Sequence, residues 1–176
     1  RLQAPAEQAP AFLAVYFVCA AGAIPLWLRA VARWGLARSW LAGMLLSVLV
    51  FAWATALGAG DGPAFLVVCA LSGAALGSDL ALPGALLAGV IADQGDGGRH
   101  DSLYFGWWNF AAKLNLALAA GLALPLLEWG GYTPGTRDPE ALRVLGSAYA
   151  LLPCLLKLLA AGALYGLLLR PGAKAT

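Results

Sequence analysis

Charged side chains are scarce in this 176-residue chain, at 11% of residues, whereas soluble domains carry about 25%. The apolar fraction is 61%. A soluble fold of this composition would expose far more apolar surface than the few hundred Å² that monomers usually show. The eleven basic and nine acidic residues form no long run of like charge, so no nucleic-acid surface is indicated. The composition therefore predicts a membrane protein.

Residues that bind metals or act as nucleophiles are equally scarce. Cys19, Cys69 and Cys154 stand singly in separate apolar stretches, without the CxxC spacing of a metal or redox site. The single histidine, His100, lies in a polar segment, whereas a metal site needs three or four convergent ligands. We therefore expect no catalytic residue, no metal and no organic cofactor, and we interpret the cysteines as small core residues.

Five apolar stretches approach or exceed the roughly 20 residues that cross a bilayer as a helix. They are residues 11–29, 39–57, 63–93, 103–129 and 141–169. The connections between the later stretches, 58–63, 95–102 and 130–140, are too short to hold a soluble domain. The sequence thus predicts an all-α membrane protein whose five transmembrane helices form one membrane domain over residues 1–176.

Basic residues predict the orientation, because cytoplasmic loops carry the excess of Lys and Arg. With five crossings, one side holds Arg29, Arg33, Arg38, Arg99, Arg170 and Lys174. The other side holds Arg1, Arg137 and Arg143. We therefore expect the N-terminus outside and the C-terminus in the cytoplasm. Aromatic residues near the predicted membrane interfaces are Trp27, Trp34, Trp40, Trp129 and Tyr132.

Three charged residues lie well inside the apolar stretches, away from their ends: Asp79, Lys113 and Lys157. A charge at mid-bilayer costs about 2.5–3.5 kcal/mol, so such residues normally face the protein interior or a water-filled pathway. Helical rise places Asp79 and Lys113 at depths about 6 Å apart, within reach of a lysine, and predicts an ion pair that faces a cavity. Separate solvation of the two charges is the alternative. Lys157 is expected to snorkel toward an interface or pack against helix carbonyls.

Three segments carry a family resemblance: IPLWLRAVARWGLARSW (24–40), GSDLALPGALLAGVIAD (77–93) and YFGWWNFAAKLNLALAAGLALPLLEWGGY (104–132). In this order they resemble the glycoside-pentoside-hexuronide cation symporters of the major facilitator superfamily, the melibiose carrier-like transporters. The resemblance implies helices eight to twelve of twelve, and so a partial C-terminal half that works with a missing N-terminal half. It also implies a bacterial inner (cell) membrane.

The resemblance further implies symport of a sugar-like solute with Na⁺ or H⁺ by alternating access. Lys113 matches the lysine that the family's eleventh helix turns toward the cavity, and Asp79 falls on the acidic GxDLxLP position. Expected gating or loop contacts are Asp93, Arg99, Tyr104 and Trp108. Gly89 and Ala92 partly replace the acidic pair often found after the LP motif, which leaves the gating contacts and the coupling ion open.

A second function stays open, that of a small oligomeric membrane subunit without transport activity of its own. An intramembrane enzyme is disfavoured, because no Ser with His, paired Asp or metal cluster is evident. The expected partners are the lipid bilayer, a sugar-like solute and the missing half of the transporter, with no nucleic acid.

The orientation is open to a direct test. Cysteines introduced at Arg33 and Arg38 of the full-length protein should react with a membrane-impermeant maleimide only from the cytoplasmic side, because the basic excess lies there. Labelling in intact cells, compared with labelling in inverted vesicles, measures this. Reaction from outside would invert the predicted topology.

Overall fold

A computed structural model of the chain describes residues 6–58, 60–95, 97–129 and 139–169. These residues form an all-α structure, in which no strand occurs. The helices are α1 (Ala9–Trp34), α2 (Leu36–Ala54), α3 (Gly62–Asp93), α4 (Asp101–Trp129) and α5 (Pro139–Leu164). A 3₁₀ turn, Ala6–Gln8, precedes α1, and a π-helical turn, Tyr165–Leu169, follows α5. The predicted all-α fold with five helices is confirmed.

Among the described helices, α1, α2 and α3 are long and apolar enough to cross a bilayer. The 32 residues of α3 extend about 48 Å, well beyond a hydrocarbon core of about 30 Å, so this helix must tilt or project from the membrane. Pro153–Leu169 forms a shorter apolar stretch. Membrane crossing by α4 and α5 therefore stays a prediction. Four of the basic residues on which the predicted orientation depends lie outside the described residues: Arg1, Arg137, Arg170 and Lys174.

The corner between α1 and α2 is shorter than predicted. The sequence placed it between Arg29 and Ser39, but the helices continue through the flanking arginines and only Gly35 separates them. Gly35 has φ 81° and ψ 165°, a conformation that is essentially restricted to glycine. Arginine is a good helix former, so the loss of apolar character near Arg29 did not mark the end of the helix.

The chain divides into two compact units. The first comprises the described parts of Arg1–Ala85 and Tyr149–Thr176, which contain α1, α2, most of α3 and the C-terminal half of α5. The second comprises the described parts of Leu86–Ala148, with the end of α3, all of α4 and the start of α5.

Small residues allow the helices of the first unit to approach closely. A Cβ atom at Gly77 would lie 2.7 Å from the carbonyl oxygen of Ala20 on α1, and one at Gly73 would collide with the Tyr16 carbonyl. Gly73 and Gly77 are four residues apart, the spacing of small residues that allows two membrane helices to approach closely. Gly84, later in the same helix, has no such neighbour, since no atom from outside its own stretch of helix lies within 4 Å of its Cβ position.

Packing of α2 against its neighbours completes the first unit. Gly43 of α2 faces the side chain of Ser78, which is fully buried and donates a 2.7 Å hydrogen bond to the Ala75 carbonyl. On the α5 side, the Cys154 thiol donates to the Val48 carbonyl at 3.8 Å. Local satisfaction of the Ser78 hydroxyl removes the cost of burying it. Cys154 is buried, as a small core residue should be.

Two glycines of α3 provide a matched test of this packing. Gly73→Ala should lower the free energy of unfolding by about 1–3 kcal/mol, because its methyl group meets backbone that cannot move aside. Gly84→Ala, on the same helix, should be neutral or stabilise by up to about 1 kcal/mol through helix propensity. Thermal unfolding of the purified protein in detergent measures both. Equal behaviour of the two variants would contradict the assigned α1–α3 contact.

Candidate functional site

The carboxylate of Asp79 joins three helices of the first unit. Asp79 lies about 26 Å along α3 from Gly62 and about 21 Å from Asp93, in the middle of the longest apolar helix. The Trp40 indole on α2 donates a 3.1 Å hydrogen bond to its Oδ1 atom, and the Lys157 ammonium on α5 forms an ion pair with Oδ2. We call Trp40, Asp79 and Lys157 the polar cluster. The Tyr16 side chain on α1 lies within electrostatic range of the Asp79 charge.

The polar cluster is partly desolvated. The side chains of Lys157 and Asp79 retain 24% and 27% of their exposure, while Ser78 and Leu82 beside Asp79 are buried. Two opposite charges in such a setting interact more strongly than at a water-exposed surface. Loss of either charge would leave the other without compensation among apolar helices, which costs more than the pair itself contributes.

Pro83 adds a second polar feature at the same level of α3. It lies four residues after Asp79, and proline has no amide hydrogen to donate to the carbonyl oxygen of residue i−4. The Asp79 backbone carbonyl is therefore without its helical hydrogen bond. Carboxylate and carbonyl oxygens, both present at Asp79, are the ligand types that bind hard cations.

The described partners of Asp79 differ from the partner predicted for it. The sequence paired Asp79 with Lys113, whereas the carboxylate contacts Lys157, which was expected to snorkel or pack against carbonyls. Helical rise gives the depth of a residue in the membrane, but it does not show which neighbouring helix its side chain faces. Depth alone therefore could not decide whether Lys113 or Lys157 contacts Asp79. Lys113 lies on α4 in the second unit, where its side chain is exposed, and its role in a solute or cation pathway stays a prediction.

The other predicted site residues all belong to the second unit. Asp93 ends α3, and Arg99 lies in the following turn, both with exposed side chains. Tyr104 and Trp108 lie one turn apart near the start of α4. At about 100° per residue, Lys113 lies about 180° around α4 from Tyr104, so these two residues face opposite sides of the helix. A gating role for Asp93, Arg99, Tyr104 or Trp108 stays a prediction.

Two tryptophans have roles that the sequence analysis missed. Trp27 and Trp40 were placed near membrane interfaces, but both indoles are half-buried and bond to α3: Trp27 donates to the Ala74 carbonyl at 2.7 Å. An indole N–H on an apolar helix needs an acceptor when it is buried. That requirement was a usable signal, although it does not identify the acceptor. In the described part of the chain, no group of three or more His, Cys, Asp or Glu side chains is placed to hold a metal ion.

Comparison with known proteins assigns the family. Residues 3–168 match the family model described as MFS/sugar transport protein. The chain therefore belongs to this family of the major facilitator superfamily, and it is an integral membrane protein of the transporter class. No curated protein and no solved structure matches the chain.

The ion pair predicts energetic coupling between α3 and α5. Asp79→Asn and Lys157→Gln should each destabilise the protein, by about 1–3 kcal/mol given the partial exposure of both groups, because each leaves an unpaired charge. The double variant should be more stable than the sum of the two losses, by a coupling energy of about 0.5–3 kcal/mol. Thermal unfolding of all four proteins provides the cycle. If the effects of the two substitutions are additive, the ion pair contributes nothing to the free energy of unfolding.

Proposed function

We propose that this chain forms part of a secondary active transporter that carries a sugar-like solute together with Na⁺ or H⁺ by alternating access. Its membership of the MFS/sugar transport protein family supports the solute class. The observation that carries the cation coupling is the contact of Lys157 with the Asp79 carboxylate in the middle of an apolar helix. An intramembrane charge pair of this kind is costly to maintain and is typical of ion and substrate pathways.

In this proposal, cation binding is coupled to helix movement because the cation and the Lys157 ammonium compete for the same carboxylate oxygen of Asp79. A Na⁺ ion or a proton that binds Asp79 neutralises the same charge that the Lys157 ammonium neutralises, so the two are alternatives at Oδ2. Cation binding therefore favours a state in which Lys157 has moved away, and α5 with it. The equilibrium between two arrangements of α3 and α5 then depends on the cation, as coupled transport requires.

The oxygens around Asp79 suit this role. Pro83 leaves the Asp79 backbone carbonyl without the amide donor of residue i+4, and carbonyls freed from helices coordinate cations in other secondary transporters. Trp40 holds the other carboxylate oxygen at 3.1 Å, which limits the rotation of the carboxylate when Lys157 leaves. Trp40 is therefore a positioning residue in this scheme.

The solute pathway is assigned to the second unit. Lys113 carries a charge into the apolar stretch of α4, and we place it on the solute or cation pathway because a lipid-facing ammonium at that depth would be unfavourable. Tyr104 and Trp108 lie on another face of α4, and we assign them, with Asp93 and Arg99, to gating or loop contacts away from the face that carries Lys113.

Uptake measurements on the full-length gene product in membrane vesicles test the proposal. A panel of labelled mono- and disaccharides is offered with a Na⁺ gradient, a pH gradient or neither. In Asp79→Asn, gradient-driven accumulation should fall by about tenfold or more, equivalent to about 1.4 kcal/mol, while exchange of solute across the membrane continues. Exchange needs no net cation movement, so its survival separates loss of coupling from loss of folding.

Asp61→Asn is the matched control. Asp61 also carries one negative charge, but it lies in the exposed turn before α3, where its carboxylate accepts a 2.9 Å hydrogen bond from the Gly58 amide. This variant should accumulate solute normally. Normal accumulation in Asp79→Asn, or its recovery in the double variant with Lys157→Gln, would contradict the coupling role and leave the pair a structural one. Absence of uptake under every gradient would favour a subunit without transport activity.

A further inference from the structure

The last turns of α1 form the wall of a cavity that the transport scheme does not use. The cavity has a volume of about 540 Å³. Its lining residues are Leu26, Arg29, Ala30, Ala32, Arg33 and Trp34. It lies at the C-terminal end of α1, next to the Gly35 corner, and its lining includes no residue of the polar cluster.

The charges at this cavity lack partners in the described part of the chain. Arg29 and Arg33 are four residues apart, so their guanidinium groups lie on the same face of α1, and both are exposed. Arg38 follows in the first turn of α2. No acidic residue occurs between Glu7 and Asp61, so the α1–α2 hairpin cannot neutralise its own arginines. None of the three arginines forms an ion pair with another described residue.

The rest of the lining is apolar and belongs to a membrane-spanning helix. Leu26 is 61% exposed and Trp34 is 55% exposed, on either side of the two arginines along α1. Tryptophan at the end of a transmembrane helix lies at the level of the lipid headgroups. The cavity therefore presents two guanidinium groups at the level of the headgroups and an apolar surface that continues toward the hydrocarbon core.

We propose that this cavity binds one anionic phospholipid. Arg29 and Arg33 hold the headgroup phosphate, since the planar guanidinium group donates paired hydrogen bonds to phosphate oxygens. An acyl chain of the same lipid covers Leu26 and Ala30. The apolar part of the lining selects a lipid over a soluble phosphate compound, which would leave Leu26 and Trp34 uncovered. Basic pockets on the cytoplasmic side of membrane proteins bind anionic headgroups in this way, and the excess of basic residues predicts that this end of the chain is cytoplasmic.

Native mass spectrometry of the purified full-length protein tests the assignment. The protein is equilibrated with mixed phosphatidylglycerol and phosphatidylcholine, and the retained lipids are counted. The unmodified protein should retain one phosphatidylglycerol in preference to phosphatidylcholine. The double variant Arg29→Gln with Arg33→Gln should lose this preference by about tenfold, as expected when charge-assisted hydrogen bonds are removed. Arg99→Gln removes one arginine that does not line the cavity and should retain the lipid as before.

Two further arms complete the test. Arg29→Lys with Arg33→Lys keeps the charge and the helix propensity, and it should bind phosphatidylglycerol more weakly than the unmodified protein but better than the glutamine variant. Excess glycerol 3-phosphate should not displace the lipid. Equal retention of the two lipids, full retention by the glutamine variant, or displacement by glycerol 3-phosphate would each overturn the proposal. None of these outcomes depends on solute uptake, so the transport function is judged separately.

Discussion

The structure of the first unit depends on the requirement that a charge within apolar helices must be neutralised by another charge. Asp79 meets this requirement through Lys157, and Trp40 occupies the remaining carboxylate oxygen. These contacts specify which faces of α2, α3 and α5 meet, whereas apolar packing alone would allow several rotations of each helix. Close packing also depends on glycine. At Gly43, Gly73 and Gly77, a side chain would collide with a neighbouring helix and hold the two helices apart.

Length and apolar character were sufficient to predict the five helices, because a helix is the only structure a single segment can form in lipid with every backbone group satisfied. The ends were predicted less well. The helices α1 and α2 pass through Arg33 and Arg38 because the backbone continues its hydrogen bonding after the side chains have become polar. Hydropathy detects where the hydrocarbon core ends, and the helix end depends instead on Gly35.

The residues of the candidate site could likewise be predicted only in part from the sequence. Asp79 was identified because a charge in an apolar stretch is conspicuous in the sequence. Its partner Lys157 and the contribution of Trp40 were not identified, because they come from helices 78 and 39 positions away along the chain. Which of several lysines meets a given carboxylate depends on helix rotation and packing, and small residues such as Gly43 decide both. Three segments, in their order along the chain, were sufficient to predict the major facilitator superfamily. The family match over residues 3–168 supports that prediction.

The single-residue corner at Gly35 has a consequence for biogenesis. Only Gly35, with φ 81° and ψ 165°, connects α1 to α2. Because the connection is one residue long, neither helix can enter the bilayer far ahead of the other. We expect the two segments to leave the translocon together, as one helical hairpin that carries Arg29, Arg33 and Arg38 near its corner. A residue with a side chain at this corner would strain the backbone by about 1–3 kcal/mol. That strain would act at the moment of insertion, before any helix–helix contact of the mature protein exists to offset it.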